Sequence, residues 1–251
     1  MPSGLPPLAL LAGGLATRMY PLTECVPKSL LSVDGEPFLA HQLRLLVERG
    51  IDEIVLCCGH LGEQIEAFAG DGSRFGCRIR YSYDGDTLLG TGGALRRALP
   101  LLGERFFVMY GDSYLLADLA PVWKTFLASA QPALMTVFRN DGKWDASNIE
   151  MRAGKILCYE KRTRTPAMRY IDYGLSVLRA NALKAWPGNE PFDLASVLGS
   201  LATEGRLAAH EVHGRFYEIG SPEGLRMTEQ MLAGLRYAIE SELVSVGGCE
   251  R

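Results

Sequence analysis

The hydrophobic pattern along the chain alternates between two periods. Residues 8–12 (LALLA) form a short unbroken apolar run, as a strand buried on both faces of a sheet does. Residues 37–49 then place Leu39, Leu43 and Leu46 on one helical face. IDEIVLCCG (51–59) reads as a buried strand, LGEQIEAFAG (61–70) as a short helix stopped by Gly70, and CRIRYSY (77–83) as another strand. GTGGALRRALPLL (90–102) is a helix entered through glycines, RFFVMYGD (105–112) a strand ending on an acid, and PALMTVFR (132–139) a further strand. This alternation with short connections predicts an α/β fold, a mostly parallel mixed sheet with helices on both faces.

After residue 140 the texture changes. NIEMRAGKILCYEKR (148–162) and YIDYGLSVL (170–178) predict strands of a meander, and FDLASVLGSLATEG (192–205) a helix. SPEGLRMTEQMLAGLRYAIE (221–240) predicts another helix: Ser221 can cap it, Pro222 suits its first position, and Leu225, Leu232, Leu235 and Ile239 form a stripe. No Ser/Gly linker or repeat interrupts the chain. A single domain over 1–240 is therefore expected, with lobes at 1–140 and 141–220, a closing helix at 221–240 and a loose tail at 241–251.

Composition narrows the function classes. With 47% hydrophobic and 22% charged residues among 251, the chain is no disordered polymer. A net charge of -3 argues against a nucleic-acid or membrane-surface binder, so an anionic ligand would have to be held by local cations. The N-terminal apolar run has no Lys or Arg before Arg18 and is cut by prolines, too short for a signal peptide or a membrane span. Six cysteines without CxxC or zinc spacing suggest free thiols and a cytoplasmic protein. The four histidines show no ligand spacing, and there is no GxSxG nucleophile turn.

Candidate chemistry starts at LLAGGLATRMYPLTECVPKSL (10–30). Glycines at the carboxyl end of a first strand let backbone N–H groups approach a ligand closely. Arg18 and Lys28 then sit on a loop that Pro21 and Pro27 keep from becoming helix, an arrangement suited to polyphosphate. Neither GxxxxGK[ST] nor GxGxxG is present. In MYGDSYL, Asp112 falls just past a strand, where a carboxylate can offer a hard oxygen to Mg²⁺.

LAGGLATRMYPLTECVPK resembles the signature of the sugar-1-phosphate nucleotidylyltransferases, or nucleotide-sugar pyrophosphorylases. Ala16 departs from it, standing where that family usually has a third glycine. LGTGGA (89–94) is similar to the LGTAGA of several mannose- and heptose-type members, and the resemblance extends over almost the whole chain. It implies a Rossmann-like single domain that joins a nucleoside triphosphate to a sugar 1-phosphate with Mg²⁺ or Mn²⁺, releasing pyrophosphate. Arg18 would bind the leaving pyrophosphate and Lys28 the reacting phosphates. Leu11, Ala12, Gly13, Gly14, Thr17, Asp84, Gly90 and Thr91 would surround the nucleotide, with Asp84 against a guanine edge and Gly92 and Gly93 allowing close approach.

The resemblance also makes Asp112 and Glu218 the metal ligands, Glu218 (FYEIGSPEGL) replacing the usual Asp. Glu160 and Lys161 (CYEKRT) would hold the sugar hydroxyls and sugar phosphate, with Gly174 and Asn148 as further sugar contacts. Arg162, Arg164 and Arg169 add positive charge near the acceptor. GTP with a manno-type hexose or heptose 1-phosphate is favoured over UTP and CTP, and a homo-oligomer is compatible with the reading. Two alternatives stand beside it: a catalytically silent nucleotide-sugar sensor of the same fold, and a DxD glycosyltransferase suggested by DGD at 84–86. The chain ends too early for the C-terminal left-handed β-helix of some members, so no acyltransferase activity is expected.

Overall fold

The computed structural model describes residues 4–247 apart from 162, 187 and 189, with side chains as far as Tyr237. Its elements run β1 (Leu8–Leu11), β2 (Ser32–Val33), β3 (Glu36–Pro37), α1 (Phe38–Glu48), β4 (Glu53–Cys58), α2 (Gly62–Ala69), β5 (Arg78–Tyr83) and α3 (Gly90–Leu102). There follow β6 (Arg105–Tyr110), β7 (Ser113–Leu115), α4 (Leu119–Ser129), β8 (Ala133–Arg139), β9 (Ile149–Arg152), β10 (Lys155–Tyr159), β11 (Tyr170–Arg179) and α5 (Ala180–Lys184). The chain closes with α6 (Leu194–Thr203), β12 (Leu207–Val212), β13 (Phe216–Glu218) and α7 (Pro222–Gly247).

The main sheet has the order β10-β9-β11-β6-β1-β4-β5, and β8 joins it through β11 and carries β12. β1 lies parallel to both β4 and β6, and β5 parallel to β4, while β11 runs antiparallel to β6 and β8. Successive residues of the central strands serve opposite faces. Leu8, Leu10, Ile54, Leu56, Phe107 and Met109 pack with Leu39, Leu43 and Leu46 of α1, Ile65 of α2 and Phe126 of α4. Ala9, Val55, Cys57 and Val108 pack on the other face with Leu95 of α3, Leu183 of α5 and Leu198 of α6. Each such aliphatic side chain, fully buried, stabilises the fold by about 1.5–3 kcal/mol. A smaller cluster of Val33, Phe38, Tyr114, Ile219 and Leu232 docks α7.

The α/β architecture expected from the pattern is the one found. The helix expected at 221–240 begins at Pro222 and continues to Gly247, so the tail expected to be loose from 241 is helical to that point. Ile239 and Cys249 lie outside the described side chains and residues. The elements that went unpredicted include α4, β7 and β12, besides the short β2, β3 and α5. α4 carries Pro121 in its first turn, where the missing N–H costs nothing. β12 reads LAAHEV, with two alanines where strands favour branched residues. β7 and β13 are three residues each, too short to show a period. Among the described residues no helix is long and apolar enough to cross a membrane.

One irregularity matters for the site. The β11–β8 register shifts between Asp172 and Ser176, and Gly174 inside the shift has φ +95°, a conformation that favours glycine. Bulges of this kind re-aim side chains next to functional sites. Buried Thr136 donates its hydroxyl to the Leu175 carbonyl at 2.6 Å and holds the bulge in place.

Candidate active site

Because β1, β4 and β6 are parallel, their carboxyl ends open on one edge, where crevices in such sheets form. There the loops meet backbone to backbone. A Cβ on Gly13 would lie 2.8 Å from the Gly59 nitrogen, and one on Gly111 2.6 Å from the Leu11 carbonyl oxygen. Gly14 has nothing within 4 Å of its Cβ position and borders a cavity instead. Ala16 adopts φ 52°, ψ 37°, a left-handed conformation, which explains why a glycine suits this place. The hydroxyl of buried Thr23 donates to the Ala16 carbonyl at 3.0 Å, fixing the turn that presents Arg18.

A first cavity of about 330 Å³ is bordered by Leu11, Ala12, Gly13, Gly14, Lys28, Asp84, Gly90, Thr91 and Asp112. Asp84 is only 7% exposed, and its Oδ2 accepts the Leu89 backbone N–H at 3.1 Å. Burial pushes the Asp84 carboxyl above its ordinary range, an effect partly offset by that bond and by Arg97. The close approach that Gly92 and Gly93 permit is to Phe192. Their N–H groups donate to its carbonyl at 2.9 and 3.2 Å, and a Cβ on Gly92 would lie 2.3 Å from its ring. That corrects the expectation that these two glycines make room for a ligand: their amides are engaged by the Phe192 carbonyl. Thr91 accepts the Leu194 N–H at 2.8 Å, which brings Asp193, an acid the sequence did not single out, to the cavity wall.

A second cavity of about 620 Å³ is bordered by Arg18, Asn148, Lys161, Arg164, Gly174 and Glu218, and it shares Tyr110 and Asp112 with the first. Thr17 and Glu160 border neither cavity, although the Glu160 N–H donates to the Asn148 carbonyl at 3.0 Å. Arg169 pairs with Asp141 at 2.7 Å, and Arg162 lies outside the described residues.

Where the cavities meet, Lys28 Nζ lies 2.6 Å from Asp112 Oδ2, both side chains about a quarter exposed or less. β7 pairs antiparallel with β13, setting Ser113 opposite Glu218, and the Ile219 N–H donates to the Asp112 carbonyl at 2.9 Å. This pairing carries residue 218 across the chain to residue 112. Three charged groups then surround one point: a Cβ on Gly220 would lie 2.7 Å from Glu218 Oε2, 3.2 Å from Asp112 Oδ2 and 3.3 Å from Arg18 Nη2. The Glu218 carboxylate accepts the Gly220 N–H and, at 2.8 Å, the Ser221 hydroxyl, at the start of α7. That placement suits a negative charge at a helix N-terminus.

These carboxylates fit a hard divalent cation. Each bonded oxygen keeps a lone pair, and no group of three His, Cys, Asp or Glu among the described residues could enclose a metal. Two carboxylates with the remaining positions left to phosphate oxygens and water is the usual Mg²⁺ arrangement.

In the second cavity the bulge presents Asp172, also not anticipated. Its Oδ1 accepts the Gly174 N–H at 3.0 Å, and its Oδ2 accepts the Tyr159 hydroxyl at 2.9 Å. The Asn148 side-chain oxygen accepts the Asp172 N–H at 3.1 Å, so this asparagine holds β11 as well as facing the cavity. Lys161 Nζ stands 5.5 Å from the Tyr110 ring centre and 5.8 Å from that of Tyr159. Burial first, and Asp172 second, push the Tyr110 and Tyr159 phenols well above their ordinary range, so both stay neutral. The only signal in the sequence for Asp172 is an acid inside an apolar strand.

Known proteins share this sequence and fold. N-acetylmuramate alpha-1-phosphate uridylyltransferase of Neisseria meningitidis serogroup B is 42% identical over 124 residues, covering 49% of this chain and 53% of that protein. Mannose-1-phosphate guanyltransferase beta-A of Xenopus laevis is 27% identical over 221 residues, covering 85% of this chain and 61% of that protein. The chain thus spans about half to three fifths of the length of these relatives. The crystal structure of HddC from Yersinia pseudotuberculosis superposes with a TM-score of 0.78 at 21% identity, covering 91% of this chain and all of that one, and shows the same fold. The sequence model of the nucleotidyl transferase family matches residues 9–146, more than half of the chain, and the protein belongs to that family.

Proposed function

We propose that the protein transfers a nucleoside monophosphate from a nucleoside triphosphate to a sugar 1-phosphate. A phosphate oxygen of the sugar attacks the α-phosphorus, the α–β P–O bond breaks, and its electron pair leaves with pyrophosphate. The observation that carries this reading is the meeting of two cavities at Asp112, with Lys28 paired to it and Arg18 beside it. In-line transfer needs two substrates aligned end to end and the developing charge neutralised, and little else from the protein.

In this reading the first cavity takes the nucleotide, its phosphates running past Gly13 and Gly14 to Lys28. Arg18 offers a planar fork to the leaving pyrophosphate. The second cavity takes the sugar, with Lys161 on its phosphate and Asn148 and Gly174 on its hydroxyl side. Asp112 and Glu218 would hold Mg²⁺ or Mn²⁺, which supplies charge neutralisation on the phosphates. Asp84, buried beside the nucleotide cavity, can accept the paired N–H groups of a guanine edge, and this favours GTP with a manno-type hexose or heptose 1-phosphate. The relatives' names include both uridylyl and guanylyl transfer, so UTP and CTP remain in the comparison. Free thiols fit a reducing, cytoplasmic setting.

The test is a grid of nucleoside triphosphates against sugar 1-phosphates, read as pyrophosphate released. Turnover is expected with GTP above UTP and CTP and is lost in excess chelator. Binding of a nucleotide-sugar with no release from any pair would overturn the enzyme reading in favour of a sensor.

A further inference from the structure

Among the described residues Arg215 forms no ion pair. It immediately precedes β13, and its guanidinium carbon stands 3.8 Å from the Trp144 ring centre and 4.9 Å from that of Tyr217. Two aromatic faces on one guanidinium hold it still and strip part of its water. Its Nη2 contacts the Met227 sulfur at 3.4 Å, a weak acceptor, and its Nε is buried with no hydrogen-bond partner. A buried N–H on a cation left unpaired costs more than an ordinary lost hydrogen bond, so a structure that keeps one has a use for it. The acids near the same cavity are engaged elsewhere. Glu223 pairs with Arg226 at 2.6 Å, Asp112 with Lys28 at 2.6 Å, Glu218 bonds Gly220 and Ser221, Asp172 bonds Tyr159 and Gly174, and Asp145 accepts the Ala146 N–H at 2.6 Å.

Arg215 also borders the acceptor cavity, together with Lys161. These two cations arrive on separate elements: Lys161 follows β10 and stands over Tyr110, whereas Arg215 is clamped between the 140–148 loop and β13. One phosphate on the sugar accounts for Lys161, and Arg18 is assigned to pyrophosphate; of the two remaining arginines on the cavity, Arg164 and Arg215, only Arg215 stands against aromatic rings that fix its place.

We infer that the acceptor carries a second anionic group, a carboxylate or a phosphate ester away from the anomeric phosphate, which Arg215 binds through the part of its guanidinium that borders the cavity. This rests on the sugar 1-phosphate reading above and narrows its substrate class to anionic sugars. A planar guanidinium held between rings is preorganised for two parallel bonds to such a group.

The experiment compares three acceptors with the wild-type protein, Arg215→Gln and Arg215→Lys: a hexose 1-phosphate, a hexuronic acid 1-phosphate and a hexose 1,6-bisphosphate. Pyrophosphate release gives KM, and calorimetric titration of the same three compounds gives Kd whether or not turnover occurs. The wild type is expected to bind one anionic acceptor at least tenfold more tightly than the neutral one; which one distinguishes carboxylate from phosphate ester. Arg215→Gln should abolish that preference and leave KM and Kd for the neutral acceptor within twofold, with Arg215→Lys in between. Equal loss for neutral and anionic acceptors, or a wild type without the preference, overturns the inference. If no acceptor is turned over with any nucleotide, the transferase reading falls, and the binding difference still decides the role of Arg215.

Discussion

Gly220 offers a direct probe of the charged junction. A methyl group there would sit 2.7 Å from Glu218 Oε2, against the 3.4 Å at which ordinary contact begins, so the carboxylate has to move by several tenths of an ångström. Moving it weakens the bond it accepts from the Gly220 N–H. A hydrogen bond to a charged group is worth about 1.5–3 kcal/mol, or roughly ten- to a hundredfold in an equilibrium. The same methyl presses on Asp112 at 3.2 Å and Arg18 at 3.3 Å, so the whole junction shifts. Gly220→Ala should therefore lower kcat and raise the Mg²⁺ concentration for half-activity, each by about ten- to a hundredfold. Gly220 does not have positive φ, so the backbone accepts alanine. Gly234→Ala within α7 is the control, because a Cβ there meets no neighbouring group within 4 Å; it should keep full activity and gain about 1 kcal/mol of stability. Steady-state pyrophosphate release across a Mg²⁺ series reads both numbers. Wild-type kcat and metal dependence in Gly220→Ala would refute the idea that these three charges act at one point.

Other outcomes follow from the same geometry. Lys28→Ala and Asp112→Asn should each reduce turnover by roughly a hundredfold with the fold intact, since each removes one half of the pair at the cavity junction, and circular dichroism alongside pyrophosphate release checks both. Lys161→Ala should raise KM for the sugar 1-phosphate by about ten- to a hundredfold and leave nucleotide Kd unchanged; an equal loss of nucleotide affinity would place this lysine on the triphosphate. Alkaline stability is set by buried thiols: burial pushes Cys58 up to about 12 and Cys57 higher still. In the unfolded chain these groups ionise near pH 9, so their contribution is fully present below that pH and is lost as pH rises toward the folded values. With Cys77, which burial pushes up to about 11, the three thiols give a slope of about 4 kcal/mol per pH unit above pH 9, of which Cys58→Ala should remove about a third. Urea unfolding between pH 7.5 and 10.5 measures it, and a flat profile would show that the thiols are not buried.

What could be read from the sequence was what local pattern carries. The two faces of the central sheet were visible because Leu8, Ala9 and Leu10 sit in an unbroken apolar run, which only a strand covered on both sides tolerates. The helix over 90–102 was visible as a segment entered through glycines, yet the role of those glycines was not, because Phe192 approaches them from a hundred residues away. The loop and strand-end pattern picked out Arg18, Lys28 and Asp112, the resemblance added Glu218, and the structure adds how the last comes near the others: one three-residue strand pair sets Glu218 opposite Ser113.

Arg215 and Asp172 were missed on the same physical ground. Neither is unusual beside its own neighbours: one is an Arg before a short strand, the other an acid within a strand. Their significance comes from partners brought by tertiary packing. Asp172 is aimed by a bulge that depends on Gly174 and on Thr136 from another strand. Arg215 is defined by what it lacks, since its Nε finds no acceptor between Trp144 and Tyr217. A missing partner cannot be read from a sequence, because every residue in a linear chain is equally without contacts. A buried N–H left without an acceptor therefore leaves its trace in the folded state alone, where the partners that packing brings, and those it withholds, become visible.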